Sequence, residues 1–302
     1  MKKYIVLVFL IISVSCQQKA KKNKKLQVVT TTTMITDLVK NIGGDKIDIQ
    51  GLMGAGVDPH LYKASEGDVS KFFNADVIIY NGLHLEGKLE DVFEKMRQQN
   101  KQTIAASDAI DTATLIGSEY FASNYDPHIW FSITNWEIIT QYITDKLCAL
   151  DPENAVTYKL NGANYLKTLA SLKTTITEQV NSLPVEKRIL VTAHDAFNYF
   201  GKEFQFNVVG LQGLSTATEA GVQDVRRLAS FIEEKNVKAI FVESSVPKRT
   251  VEALQEAVRA KGQEVLIGGT LYSDALGSAG TAEATYVGMY KHNVHIIVSS
   301  LK

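Results

Sequence analysis

The chain holds only six histidines, so each can be weighed by its setting. His60 closes Gly56-Val57-Asp58-Pro59-His60, a loop with Gly and Pro after a strand-like run. His128 stands in Asp126-Pro127-His128-Ile129-Trp130, a second Asp-Pro-His in the same half. Proline fixes its own φ and turns the preceding residue away from helix, so both imidazoles sit on stiff, extended loop backbone. His194 follows the strand-like run 188–192 at its carboxyl end, where open α/β sheets place ligands. Asp274, in Leu271-Tyr272-Ser273-Asp274-Ala275-Leu276-Gly277, occupies another loop after a strand. Three imidazoles and a carboxylate form a borderline N3O donor set that suits Zn(II), Mn(II) or Fe(II). A single loop histidine is as readily a hydrogen-bonded structural residue as a ligand. Two Asp-Pro-His copies facing a strand-terminal His and a carboxylate favour a metal. The chain has neither paired CxxC nor HExxH, so such a site must be assembled from four distant loops.

The remaining candidates read as supporting residues. His84, in Asn81-Gly82-Leu83-His84-Leu85-Glu86, follows a buried strand and suits packing or hydrogen bonding. His292 and His295 lie one turn apart on a terminal helix, where a surface role is expected. Glu219 and Glu243 stand near strand ends, placed for a hydrogen bond behind a ligand or for an ion pair between loops. Trp130, Phe131 and Phe197 are expected to form a dry collar around the site.

The elements that must position these residues alternate strand and helix, twice over. In the first half, strands are expected at 27–32, 47–52, 77–80 and 103–106. Helices are expected from Met34 to Gly43-Gly44, after the capping pattern Ser65-Glu66-Gly67-Asp68, and over 90–98. The second half repeats this with strands at 188–192, 207–211, 239–242 and near Val265, and helices at 196–203, 222–235, 248–261 and 281–301. This grammar predicts an α/β fold of two lobes, each a parallel sheet with flanking helices. Between them, Asp151-Pro152-Glu153 starts a helix that nothing stops before Pro184. Val156, Leu160, Ala163, Leu166, Leu169 and Leu172 recur near helical period and read as its buried stripe. A helix of about thirty residues is roughly 45 Å long, enough to span both lobes and to resist bending.

The start of the chain carries a different signal. Residues 1–15 are a basic start, an apolar run too short to cross a bilayer, and small residues, which is the pattern of an export signal. Cys16 follows directly and suits lipidation, and residues 16–25 form a lysine-rich tether. The expected division is therefore 26–150 for the first lobe, 151–183 for the linking helix and 184–302 for the second lobe. Net charge is -1, without the basic field that nucleic acid requires. Cys148 is the only cysteine besides Cys16; it pairs with no internal partner and suits a small core position.

The motifs DPH, DPHIWFS, VTAHDAFNYF, GLST and LYSDALG, in this order around a long central helix, resemble the metal-specific solute-binding proteins of ABC importers, of the TroA/ZnuA type. The resemblance spans about residues 26–302. It implies two α/β lobes joined by one rigid helix, with metal ligands at His60, His128, His194 and Asp274. It also implies an ABC permease and its ATPase as partners, lipid anchoring through Cys16 on the extracytoplasmic side, and a monomer. Manganese-dedicated members often carry Glu where this chain has His194, and zinc-dedicated members often carry a His-rich loop that the segment 103–125 lacks. Together with the ending GTAEATYVGMYKHN, this looks closest to the TroA-like branch, associated with zinc and manganese. Zinc ranks first as the ion held and manganese close behind as the ion transported, with Fe(II) admissible. Two other readings compete: a surface adhesin-like lipoprotein with a structural metal, and a zinc hydrolase. The second lacks a recognisable general base, because Glu66, Glu219 and Asp195 are the only acids nearby in sequence.

Overall fold

A computed structural model describes residues 25–302, so the signal-like segment and Cys16 lie outside the described residues. The first sheet contains β1 (Leu26–Thr30), β2 (Ile47–Gly51), β3 (Val77–Tyr80) and β4 (Gln102–Ala105), in the order β2-β1-β3-β4 with every pairing parallel. Helices α1 (Thr33–Gly43), α2 (Glu66–Asn74) and α3 (Glu90–Gln98) make its crossovers. The apolar run of β3, buried over Val77, Ile78 and Ile79, is what a strand covered on both faces requires. At α2 the Asp68 backbone N–H donates to Ser65 Oγ and the Ser65 backbone N–H to Asp68 Oδ2, the reciprocal cap expected from the sequence. Gly44, at φ 54, ends α1 in a region that favours glycine.

After β4 the chain forms α4 (Ile133–Leu150) and the long α5 (Ala155–Asn181). It then enters a second sheet of β5 (Ile189–His194), β6 (Asn207–Gln212), β7 (Ala239–Glu243) and β8 (Leu266–Leu271), ordered β6-β5-β7-β8 and again parallel. Helices α6 (Asn198–Phe204), α7 (Val222–Lys235), α8 (Arg249–Arg259) and α9 (Tyr286–Leu301) complete this lobe. Both sheets therefore have the same strand order, and each reverses winding direction between its first and third strands. Such a switch point leaves a crevice at the carboxyl ends of the two central strands.

Helix α5 packs against α1 and α4 on one side and α9 on the other, so it touches both lobes. At about 1.5 Å per residue it is roughly 40 Å long. Its buried stripe differs from the sequence expectation. Val156 and Leu160 are 82% and 61% exposed and Ala163 is exposed, whereas Leu169 and Leu172 are buried as expected, in a seam completed by Tyr158, Gly162, Tyr165, Ile176 and Val180. Gly162 allows close helix approach, since a Cβ there would lie 2.4 Å from Thr144 Oγ1. Asp151 secures the first turn through its side chain, accepting hydrogen bonds from Asn154 Nδ2 (2.8 Å) and the Tyr158 hydroxyl (2.6 Å).

An aromatic layer joins the lobes. Phe131 and Phe197 have ring centroids 4.2 Å apart, and Trp136 stacks on Tyr286 at 5.0 Å. The hydroxyls of Tyr286 and Tyr290 donate to the carbonyls of Trp130 (2.8 Å) and Phe131 (2.7 Å). Aromatic pairs of this kind contribute about 0.5–1.5 kcal/mol each beyond area burial, which favours small lobe shifts over wide hinge motion. Cys148 is half-buried and packs against this core. Helix α9 starts at Tyr286 rather than at 281, because residues Ala282–Ala284 form a separate 3-10 turn.

Candidate metal centre

The structure brings His60, His128, His194 and Asp274 to one point between the lobes, although 214 positions separate the first from the last. His60 stands on the loop after β2 and His128 on the loop before α4; Asp274 follows β8. His194 is the last residue of β5, one step inside the strand rather than in the loop beyond it. One donor atom from each residue lies within 4.8 Å of the others, and all four residues are buried. His128 Nε2 is 3.4 Å from His60 Nε2 and 3.3 Å from His194 Nε2, and His194 Nε2 is 3.3 Å from Asp274 Oδ2. A tetrahedral site with arms of 2.0–2.1 Å has edges of about 3.3–3.4 Å, so these spacings suit one small divalent ion. Asp274 Oδ1 is buried without a hydrogen-bond partner, 3.7 Å from His128 Nε2. A cation would satisfy it.

The outer nitrogens explain which atoms face inward. His128 Nδ1 lies 2.7 Å from Asp126 Oδ1, and His194 Nδ1 lies 2.5 Å from Glu243 Oε2. Ionised carboxylates only accept, so each Nδ1 carries the proton and, in the neutral ring, Nε2 presents a lone pair. Two lone pairs at 3.3 Å repel unless a proton or a metal sits beside them. The carboxylates also fix the backbone. Asp126 Oδ1 accepts from His128 N at 2.9 Å, and Glu243 Oε1 from His194 N at 2.8 Å. His194 and Glu243 end β5 and β7, on either side of the switch point of the second sheet.

The charges follow from burial and these contacts. Burial pushes the His60 imidazole down to about 3, with the neighbouring histidines adding to the effect against the pull of Asp274. For His194 burial also works downward. Asp274 and Glu243, by charge and hydrogen bond, outweigh it and hold the imidazole well above its usual pKa. Burial likewise opposes the charge of Asp274, but His194 and the other two histidines hold its carboxyl well below the usual range. Asp274 and Glu243 thus favour at His194 the positive charge that a bound cation would supply.

The other candidates fall elsewhere. His84 pairs with Glu90 at 2.5 Å and touches Phe121 by its ring edge. His292 Nε2 lies 3.1 Å from the Thr270 carbonyl oxygen, and His295 is exposed on α9. Glu219 forms an exposed ion pair with Arg249 at 2.7 Å, while Glu243 backs His194. Trp130 lies 5.3 Å from the His128 ring and donates to the Ser273 carbonyl at 3.0 Å; Phe131 packs beside it and against Phe197 in a tilted pair. Sequence reasoning missed Phe121, whose ring meets His60 edge-on at 6.4 Å. It also missed the orienting role of Asp126, for which the Asp of the motif itself was the available signal.

Two parallel α/β lobes enclosing a buried three-histidine, one-carboxylate cluster define a bilobal α/β protein of the metal-site class. The family described as "ZnuA: Zinc-uptake complex component A periplasmic" matches residues 28–300, and the chain belongs to that family. It is 46% identical over 280 residues to the manganese-binding lipoprotein MntA of Bacillus subtilis, covering 93% of this chain and 91% of that one. It is 47% identical over 274 residues to the zinc-binding protein TroA of Treponema pallidum, covering 91% and 88%. The solved structure of the periplasmic zinc-binding protein TroA from Treponema pallidum superposes with a TM-score of 0.89 at 46% identity, covering 92% of this chain and 99% of that one.

Proposed function

We propose that this chain is the extracytoplasmic substrate-binding component of an ABC importer, which captures a divalent transition metal and delivers it to the permease and its ATPase. The observation that carries this reading is the convergence of His60, His128 and His194 Nε2 with the Asp274 carboxylate, whose His60–His128, His128–His194 and His194–Asp274 spacings suit one ion. Zn(II) and Mn(II) are the substrates, with Fe(II) admissible; relatives of similar identity carry zinc in one name and manganese in another. Zn(II) should outbind Mn(II) at any such N3O site, so the ion held after purification and the ion transported need not coincide.

The protein acts as a monomer, held at the membrane by lipid on Cys16 after removal of residues 1–15, with residues 16–25 as tether. Support comes from the export-signal pattern and from relatives described as lipoproteins. No helix among the described residues is long and apolar enough to cross a membrane. The chain divides at 26–150, 151–183 and 184–302, a division supported by the separation of the strands into two sheets. The protein is not an enzyme. Two carboxylates beside the cluster, Asp126 and Glu243, are committed to imidazole nitrogens, and Asp58 is bonded to the His60 backbone and to Thr216, which supports a binding role over activation of a metal-bound water.

Elemental analysis of protein purified from its own host, paired with zinc and manganese uptake by a deletion strain, tests this reading. It predicts near-stoichiometric metal and an uptake defect relieved by added ion. Turnover of a hydrolysable substrate, or normal uptake in the deletion strain, would overturn it.

A further inference from the structure

The two Asp-Pro-His turns share one device. In each, one aspartate oxygen accepts from the backbone N–H of its own histidine, at 2.9 Å from Asp58 to His60 and 2.9 Å from Asp126 to His128. In each, the other oxygen reaches across to the second lobe, Asp126 Oδ2 to Asn198 Nδ2 at 3.0 Å and Asp58 Oδ2 to the Thr216 hydroxyl at 2.6 Å.

The two turns differ in how much else secures them. The Asp126 turn is also held by the Tyr199 hydroxyl, which donates to the Asp126 carbonyl at 3.1 Å, and the His128 ring is fixed by its bond to Asp126. The His60 ring has no hydrogen bond to Nδ1 among the described residues. Its loop makes one hydrogen bond to the second lobe among those residues, from Thr216. Among the described residues, the loop of residues 213–221 that carries Thr216 likewise makes that single hydrogen bond to the first lobe.

We infer that the Asp58–Thr216 hydrogen bond is a latch across the lobes that sets how long the metal stays. This rests on the metal-binding reading above and adds a positioning pair to it. Groups behind a ligand orient it and strengthen its hold on a metal. Breaking the Thr216 contact frees the Asp58 carboxylate, which in turn frees the His60 turn to swing. The latch spans the lobes, so a permease that draws the two loops apart would release the ion without moving His128 or His194.

The test mixes the Zn(II)-loaded full chain with excess EDTA and follows tryptophan emission in a stopped-flow instrument. Thr216→Val keeps the shape but removes the donor, and should raise the dissociation rate about 10-fold, the scale of one hydrogen bond to a charged acceptor, with association nearly unchanged. Thr216→Ala should do the same, and Thr216→Ser, which keeps the hydroxyl, should stay within about twofold of the unaltered chain. Lys202→Met removes a different lobe-to-lobe bond, Lys202 Nζ to the Thr114 carbonyl at 3.0 Å, and should leave dissociation unchanged. The latch is overturned if the Val and Ala variants dissociate at the unaltered rate, or if Lys202→Met accelerates dissociation equally. An unaltered chain that takes up no Zn(II) or Mn(II) would instead overturn the metal-binding reading, and the latch with it.

Discussion

Glu243, at the end of β7, receives both the backbone N–H and the ring Nδ1 of His194 at the end of the neighbouring β5, at 2.8 and 2.5 Å. One carboxylate thus fixes the tautomer, the ring plane and the backbone of a candidate ligand. Replacing Glu243 with Ala should lower Zn(II) affinity about 10–100-fold, the scale seen when a group behind a metal-bound histidine is lost. Glu243→Gln, which still offers an acceptor oxygen, should lose less. Competition titration against a chelating dye reads both.

Asp274 brings the only carboxylate of the cluster, and its Oδ1 is buried with no partner. Asp274→Ala should reduce affinity at least about 10-fold. Asp274→Asn should also lower the pKa of His194 in the metal-free protein, because it removes the charge that favours the imidazolium. NMR titration of the His194 ring measures that shift directly.

Metal binding and protons compete at His194. In the metal-free protein its pKa is raised, since Asp274 and Glu243 outweigh burial, so the proton must leave when the ion enters. Affinity should therefore rise with pH up to the pKa of His194 in the folded protein and fall about tenfold per pH unit below it. His60, held down to about 3, adds no such dependence near neutrality. Calorimetry at pH 7 in buffers of different ionisation enthalpy should show release of about one proton per Zn(II) bound.

The corrected face of α5 has its own test. Ile176→Ala empties a fully buried position and should cost about 2–5 kcal/mol in urea unfolding. Val156→Ala changes an exposed position and should fall within about 0.5 kcal/mol of the unaltered chain.

The parts of this site that were legible in the sequence are those with short-range causes. Proline after aspartate stiffens the turn before His60 and His128, and a β-branched run ending near His194 announces a strand terminus, so local chemistry marks all three. Alternating strand and helix likewise reveals two parallel sheets. Contacts between distant segments leave no such mark. Glu243 lies 49 positions from His194, and Thr216 lies 158 from Asp58; no periodicity links either pair. The α5 face was misread for a related reason. Val156 and Leu160 keep helical spacing, but the actual seam uses Tyr158, Gly162 and Tyr165, whose burial depends on Asp151, Thr144 and Trp136. Phe121 sits in a loop, where an aromatic has no pattern to belong to.

The most direct measurement is a crystal structure of the Zn(II)-loaded chain with anomalous data at the zinc edge. One ion should appear between the lobes, about 2.0–2.2 Å from Nε2 of His60, His128 and His194 and from an oxygen of Asp274. An ion bound elsewhere, or one that leaves any of the three imidazoles uncoordinated, would contradict the account.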